Sequence, residues 1–340
     1  MSKNKLTIIM PAFNSMPYIK QAINSVINQN FKDWEMLISD DLSTDGTVDF
    51  LKKIKHKKIK VFFQKKNTGI FGNLKFLNSK AKTSIIKILC TDDYLTSNSL
   101  QFMFLFMKKF KSCNLMTYYD QNRINNRHVD NITLVNECFS KMGNKVYIKF
   151  MPKPSMLAFL AFGNLCGNLS KVTYRKIKGD INPVFDQKFP YAGDFNTWVK
   201  FSQKHGLYLI KKKLIYVRKH PKQASLTMNH EIKTKNDLYP QLSKIHNFLL
   251  KNISKKHHAY LRQYMILNNL PQRITSYIKC LISGDIKSAK KVFFNLPLKI
   301  SILECFMHCV FFKFRNSKFN KLNRHYRVHI TNLINNLENE

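Results

Sequence analysis

The chain predicts an α/β fold built on a mostly parallel sheet, on three observations. Residues 5–100 alternate short β-branched runs with stretches whose apolar positions recur at three and four. Turn residues rather than long loops join these elements, as in βαβ units with helices on both faces of the sheet. Three of the runs end in polar clusters: Pro11-Ala12-Phe13-Asn14, Asp40-Asp41 and Thr91-Asp92-Asp93. The carboxyl ends of parallel strands are where such sheets place ligands.

The elements follow in order. Leu6-Thr7-Ile8-Ile9-Met10 reads as a buried strand stopped by Pro11. From Tyr18 to Asn28, Ile19, Ala22, Ile23, Val26 and Ile27 mark one helix face. Trp34 to Ser39 is a second strand, and Ser43-Thr44-Asp45-Gly46-Thr47 then turns and caps a short helix bearing Val48, Phe50, Leu51 and Ile54. Ile59 to Phe63 is a third strand, followed by the loop Asn67-Thr68-Gly69, a helix over 70–82 and the strand Ser84 to Cys90. Leu100 to Phe110 reads as a helix, Asn114 to Asp120 as a strand and 121–131 as a polar loop. Pro152 and Pro154 are read as breaking the chain before the Gly-punctuated apolar segment 156–169. A helix over 194–203 and strands at 207–210 and 214–217 close this part, and Lys-rich helices are expected at 237–251, 256–268, 272–283 and about 300–314. The expected division is a catalytic domain over 1–230 and a helical C-terminal appendage over 231–340.

Composition narrows the classes. Apolar residues make up 44% of the 340-residue chain, enough for a real core rather than a disordered segment. Lys and Arg number 57 against 20 Asp and Glu, a formal net charge of +37, which suits anionic lipid, nucleic acid or phosphorylated substrates without choosing among them. No helix-turn-helix, zinc-finger or ribonucleoprotein signature accompanies the charge, so no specific nucleic-acid partner is expected. Seven scattered cysteines without a CxxC pair point to free thiols in a reducing compartment. The N-terminus lacks a signal-peptide apolar region, and no uncharged apolar stretch reaches roughly 18 residues. The expected location is the cytoplasm.

In a chain so poor in acids, Asp92 beside Asp93 is the pair most in need of explanation. Adjacent carboxylates repel, so their surroundings must supply a cation or raise one pKa. A hard divalent cation carrying a phosphate-bearing ligand meets that need, and an Asp-rich turn closing a strand is the plainer alternative.

In sequence order the chain shows Ile8-Ile9-Met10-Pro11-Ala12-Phe13-Asn14, Ser25-Val26-Ile27-Asn28-Gln29-Asn30-Phe31, Ile38-Ser39-Asp40-Asp41-Leu42-Ser43-Thr44-Asp45-Gly46-Thr47, Asn67-Thr68-Gly69 and Thr91-Asp92-Asp93. In these stretches it resembles the family 2 glycosyltransferases, inverting enzymes of the GT-A fold. The resemblance implies that Pro11, Ala12, Phe13 and Asn14 line a nucleotide pocket, that Asp41 accepts from the base, that Asn67 and Gly69 shape the donor loop, that Asp92 touches ribose or sugar, and that Asp93 holds Mn2+ or Mg2+ on the diphosphate. The family's Ala-Arg-Asn stretch reads Gly72-Asn73-Leu74-Lys75 here, which leaves Asn73 or Lys75 to help fix the donor. Tyr191-Ala192-Gly193-Asp194 resembles the family's acidic motif, where Glu-Asp is usual, and makes Asp194 the expected base. A helix cap is the other reading of Asp194. Arg218 and His220 resemble the loop that closes over the diphosphate, while a surface loop is the plainer reading of His220.

The implied partners are a nucleotide-diphospho-sugar donor, UDP-linked first, and a glycan or lipid-linked acceptor in surface polysaccharide assembly. Segment 296–314, apolar with flanking lysines, is read either as lying on an anionic membrane surface or as a core helix. The rival readings are a non-catalytic basic nucleic-acid- or membrane-binding protein and a sugar nucleotidyltransferase. The latter should carry a Gly-rich loop where Pro11-Ala12-Phe13-Asn14 stands, and no glycine precedes Gly46.

Overall fold

The computed structural model describes residues 5–119, 146–176, 182–218, 220, 238–258 and 261, with the isolated positions 282, 284–287 and 332. Its main sheet holds eight strands. They are β1 (Leu6–Ala12), β2 (Trp34–Asp40), β3 (Ile59–Phe63), β4 (Ile85–Ile88), β6 (Leu115–Tyr119), β7 (Tyr147–Phe150), β8 (Val172–Arg175) and β9 (Leu207–Lys211). Their order is β3-β2-β1-β4-β8-β6-β9-β7. Antiparallel pairing of β8 with β4 and β6, and of β7 with β9, makes those two the reversed strands; the rest run one way. The predicted mostly parallel α/β sheet is thus present.

Strand alternation makes two cores. Ile8, Met10, Met36 and Ile38 face the layer of α1 (Ile19–Ile27) and α4 (Ser99–Lys109), whereas Ile9 and Leu37 face α3 (Gly69–Lys80), α5 (Pro152–Phe162) and α6 (Gly193–His205). The short α2 (Thr47–Lys52) adds Leu51 to the first layer. Helix α7 (Leu238–Lys251) belongs to the second core, with Ile245, Leu249 and Leu250 buried in it. Gln241 Oε1 accepts from the N–H groups of Tyr191 and Ala192, so this C-terminal helix also pins the start of α6. The predicted helices over 256–268, 272–283 and 300–314 fall almost wholly outside the described residues, as does the 121–131 loop.

Two expectations change. Strand β1 does not stop before Pro11 but runs through it to Ala12. Its pairing with β4 ends at Ile9–Ile88, so the missing N–H of Pro11 falls where β1 has β2 alone for a neighbour. Pro152 and Pro154 begin a helix rather than break one, because the first turn has no use for the N–H that proline lacks. Every residue of α5 from Pro154 to Phe162 is buried, so its sequence shows no amphipathic period to read. Helix α6 ends at Gly206, φ +67°, where a Cβ would lie 2.3 Å from the Phe150 carbonyl oxygen; only glycine fits.

Candidate active site

The strand order reverses direction of growth between β1 and β4, and the crevice at such a switch point is where open sheets bind ligands. The sequence-predicted groups converge on it from three strand ends. At the end of β1, Ala12 is buried and its carbonyl accepts from Asp41 N–H at 2.9 Å. Phe13 is 51% exposed, open to stack against a planar ligand. Asn14 adopts φ +45° and accepts from Thr44 N–H at 2.8 Å, while its own N–H donates to Ser43 Oγ. The first and second loops are therefore one unit.

Asp41 is buried and binds the third loop. Its oxygens accept from Thr68 N–H at 2.9 and 3.1 Å and from Thr68 Oγ1 at 2.9 Å. Most of the carboxylate's acceptor capacity thus goes to the 67–69 loop. Within that loop Asn67 Oδ1 accepts from Gly69 N–H. Asn73 is buried and gives its amide to the Ser39 carbonyl at 2.7 Å, so it braces β2, whereas Lys75 is exposed. Gly72 makes room for the docking of Gln187, whose Nε2 would lie 2.3 Å from an added Cβ.

The Asp92-Asp93 turn follows β4. Asp93 N–H donates to the Cys90 carbonyl, and Cys90 N–H to Ser170 Oγ at 2.8 Å, so strand β8's leading segment holds the turn. Asp93 is fully buried; Oδ1 accepts from Arg218 N–H at 2.9 Å, and Oδ2 has no hydrogen-bond partner. Burial first, and then the charge of Asp92, push its carboxyl up to about 6; the nearby Ser170 hydroxyl, Arg218 N–H and Lys87 oppose that rise. The donor atoms of Cys90, Asp92 and Asp93 lie within 4.8 Å of one another. An orphaned buried carboxylate oxygen in such a cluster fits a divalent cation.

The strands β5 (Tyr94–Leu95) and β10 (Ile215–Tyr216) pair antiparallel, Tyr216 opposite Tyr94, so continuing the register lays Val217 and Arg218 along Asp93 and Asp92. Arg218 Nε donates to the Asp92 carbonyl at 3.0 Å, another of its nitrogens to Gln21, and its guanidinium lies 4.8 Å from the Tyr18 ring and 5.5 Å from that of Tyr94. His220 Nε2 stands 3.3 Å from Asp92 Oδ2, with Nδ1 buried and unpartnered. His220 thus packs against Asp92 rather than standing loose on the surface.

Asp194 is the second residue of α6, and Ala192 rather than Asp194 occupies the cap position. Its Oδ1 accepts from Phe195 N–H at 2.7 Å and its Oδ2 from Asn164 Nδ2 at 2.8 Å. Burial lifts the carboxyl to about 6 although both hydrogen bonds favour the anion. Asn164 and Ser170 belong to one segment, so the same stretch holds Asp194 and the Asp92-Asp93 turn. Gly193 is explained by space: a Cβ there would lie 2.5 Å from the Phe71 ring. Asn164, Ser170, Gln21, Tyr18 and Tyr94 were missed by sequence reasoning; only the two asparagines flanking Gly167 gave a turn signal.

Residues 7–161 match the family model described as glycosyl transferase family 2. An uncharacterized glycosyltransferase of Haemophilus influenzae is 24% identical over 66% of the chain and 69% of its own length. A putative teichuronic acid biosynthesis glycosyltransferase, TuaG of Bacillus subtilis, is 31% identical over 33% of the chain and 44% of its own length. A Campylobacter jejuni protein, named GalNAc(5)-diNAcBac-PP-undecaprenol beta-1,3-glucosyltransferase, is 35% identical over 28% of the chain and 32% of its own length. The chain thus spans less than half the length of those last two relatives. Among solved structures, residues 1–349 of S. aureus TarS in complex with UDP superpose with a TM-score of 0.53 at 15% identity, covering 86% of this chain and 89% of that one. Mannosyltransferase PcManGT of Pyrobaculum calidifontis, in complex with GDP-Man and Mn2+, gives 0.51 at 13% identity, covering 99% and 88%.

Proposed function

We propose, from the match of residues 7–161 to the glycosyl transferase family 2 model and from the GT-A fold, that the chain is a glycosyltransferase that moves a sugar from a UDP-linked donor to a hydroxyl acceptor with inversion. The observation that carries the reading is the buried Asp93 with its unpartnered Oδ2, set at the switch point among Asp92, Arg218 and His220. The donor's base would pack on Phe13 beside Ala12, Pro11 and Asn14, with Asp41 accepting from it through the lone pair that Thr68 leaves. Asp92 would contact ribose or sugar. Arg218 and His220 would border the diphosphate, while Asn67, Gly69 and Asn73 keep the third loop and β2 in place.

Asp93, with Asp92 beside it, would hold the Mn2+ or Mg2+, which when bound neutralises charge on the departing diphosphate. The acceptor hydroxyl oxygen attacks the anomeric carbon and gives its proton to Asp194. The bond to the diphosphate oxygen breaks on the opposite face, and the diphosphate leaves with the electron pair. A displacement of this kind needs one base, not the paired carboxylates of a hydrolase. TarS with UDP and PcManGT with Mn2+ support the donor and cation by analogy of fold.

The acceptor is proposed to be a glycan, free or lipid-linked, in polysaccharide assembly, on the analogy of the relatives named for teichuronic acid and for an undecaprenol-linked acceptor. Donor binding is assigned to residues 1–110, the acceptor side to 111–230, with 231–340 as the C-terminal region. Among the described residues no helix is long and apolar enough to cross a membrane. Peripheral attachment to an anionic cytoplasmic membrane face through the basic surface is part of the proposal. Segment 296–314 lies outside the described residues.

A thermal-shift screen of UDP-, GDP-, dTDP- and CMP-sugars with and without Mn2+ tests the donor. Stabilisation by the UDP-sugar with Mn2+ is expected, and stabilisation by none of them overturns the reading.

A further inference from the structure

We infer that the Cys90 thiol is a third protein donor to the cation at Asp92 and Asp93, so that this site takes thiophilic divalent cations, Zn2+ or Cd2+, in competition with Mn2+. The inference rests on the proposed site for the place of the cation and adds a preference that an all-oxygen site lacks. The first ground is geometry. Thiol, Asp92 and Asp93 donor atoms lie within 4.8 Å of one another, a separation that one ion can bridge at ordinary ligand distances. The second is the orphaned oxygen: Asp93 is fully buried, and its Oδ2 finds no partner in the protein. Buried carboxylate oxygens are expected to be satisfied, and this one is left for a ligand.

The third ground is how the thiol is held. Cys90 is anchored on both sides of its side chain, its N–H by Ser170 Oγ and its carbonyl by Asp93 N–H. It is also the described cysteine that is not fully buried; Cys113 and Cys166 are shut in the two cores. Charge gives the fourth ground. Two carboxylates and a thiolate around a dication leave one negative charge in excess. Lys87 can supply the counter-charge from below by holding a proton when the ion is bound; its amine is fully buried and donates to the Ser170 and Val172 carbonyls. Hard Mg2+ gains little from sulfur, whereas Zn2+ and Cd2+ gain most. Binding forms the metal–sulfur bond and releases the thiol proton to solvent, so one proton leaves per ion bound in this mode.

The test is competition on the full chain. Mn2+ bound to the wild type is displaced by Cd2+ and followed by the electron paramagnetic resonance signal of free Mn2+, with Cys90→Ser alongside. Wild type is expected to need at least about tenfold less Cd2+ than C90S, the lower end of what even outer-shell partners contribute to metal affinity. It should also show a thiolate-to-cadmium absorption that C90S lacks. Comparison of the two proteins isolates this thiol from the six other cysteines. Equal displacement in both, with Mn2+ binding intact, overturns the inference. A second readout needs no variant: Zn2+ should protect the Cys90 peptide of the wild type from alkylation, and undiminished alkylation at saturating Zn2+ counts against it. Failure of both proteins to bind Mn2+, with Cd2+ still favouring wild type, would sink the donor-site reading and leave the thiol site standing.

Discussion

Replacing Asp194 by Asn should abolish sugar transfer and leave the fold intact. The substitution is isosteric. Phe195 N–H keeps an acceptor at the Oδ1 position, and Asn164 can turn its unpartnered Oδ1 toward the new amide. A positioned base contributes on the order of 10²–10⁴ in rate, so at 1.36 kcal/mol per tenfold the loss in kcat corresponds to about 3–5 kcal/mol. Stability should not fall. The Asp194 carboxyl is raised from 3.8 to about 6, so the native state binds this proton more tightly than the unfolded chain. Stability from this group is therefore lost as pH rises from about 4 to about 6, and D194N escapes that penalty at neutral pH. In the wild type kcat/KM should fall tenfold per unit below about pH 6 and level off above it, since the base must be ionised to accept a proton. Asp93 titrates in the same range, so Asn164→Ala separates them. It removes a hydrogen bond that favours the Asp194 anion, worth about 1.5–3 kcal/mol, and should move the acid limb up by about one to two pH units. Steady-state transfer assays across pH and thermal melts read both effects. D194N within tenfold of wild type, or unfolded at neutral pH, would refute the assignment.

Three further outcomes follow from the packing. Gly193→Ala puts a methyl 2.5 Å from the Phe71 ring and should cost about 1–3 kcal/mol by chemical denaturation, with Phe71→Leu in the same chain recovering part of it. Ser170→Ala removes the acceptor of the Cys90 N–H; the expected loss is about 1–3 kcal/mol with a weaker Mn2+ affinity by titration calorimetry, and unchanged metal binding would contradict the link between that segment and the turn. Burial lowers the Lys87 pKa from 10.5 to about 7, so the unfolded chain holds more protons between those values and this group's contribution to stability rises with pH across that window. Lys87→Met should remove that rise, which denaturation at pH 7 and pH 10 reads directly; an unchanged difference between the two pH values would count against a buried neutral lysine.

The proposed donor half was legible because its residues lie in local patterns. Strands such as Ile59–Phe63 and helices such as Ile19–Ile27 announce themselves by period, and Asp41, Asp92 and Asp93 sit in short motifs at strand ends. What the sequence hid depends on distant pairing. Asn164 meets Asp194 across thirty residues, Ser170 meets Cys90 across eighty, and Arg218 reaches Asp93 across 125. None of those partners lies in a pattern, because each is chosen by the sheet order rather than by its neighbours in the chain. Helix α5 was missed for the opposite reason: burial on all sides erased its period, and its two prolines imitated a break. The donor to Asp41 was expected to be a ligand's base, and the structure shows how much of that carboxylate Thr68 already uses.

Calorimetric titration of UDP into the wild-type protein with and without Mn2+, repeated on Asp93→Asn, addresses the donor site most directly. The substitution keeps an acceptor for the Arg218 N–H, so the loop should stay in place. UDP is predicted to bind the wild type tightly only with Mn2+, and D93N is predicted to lose that dependence. Binding that ignores Mn2+ in the wild type, or full Mn2+-dependent binding by D93N, would contradict the account.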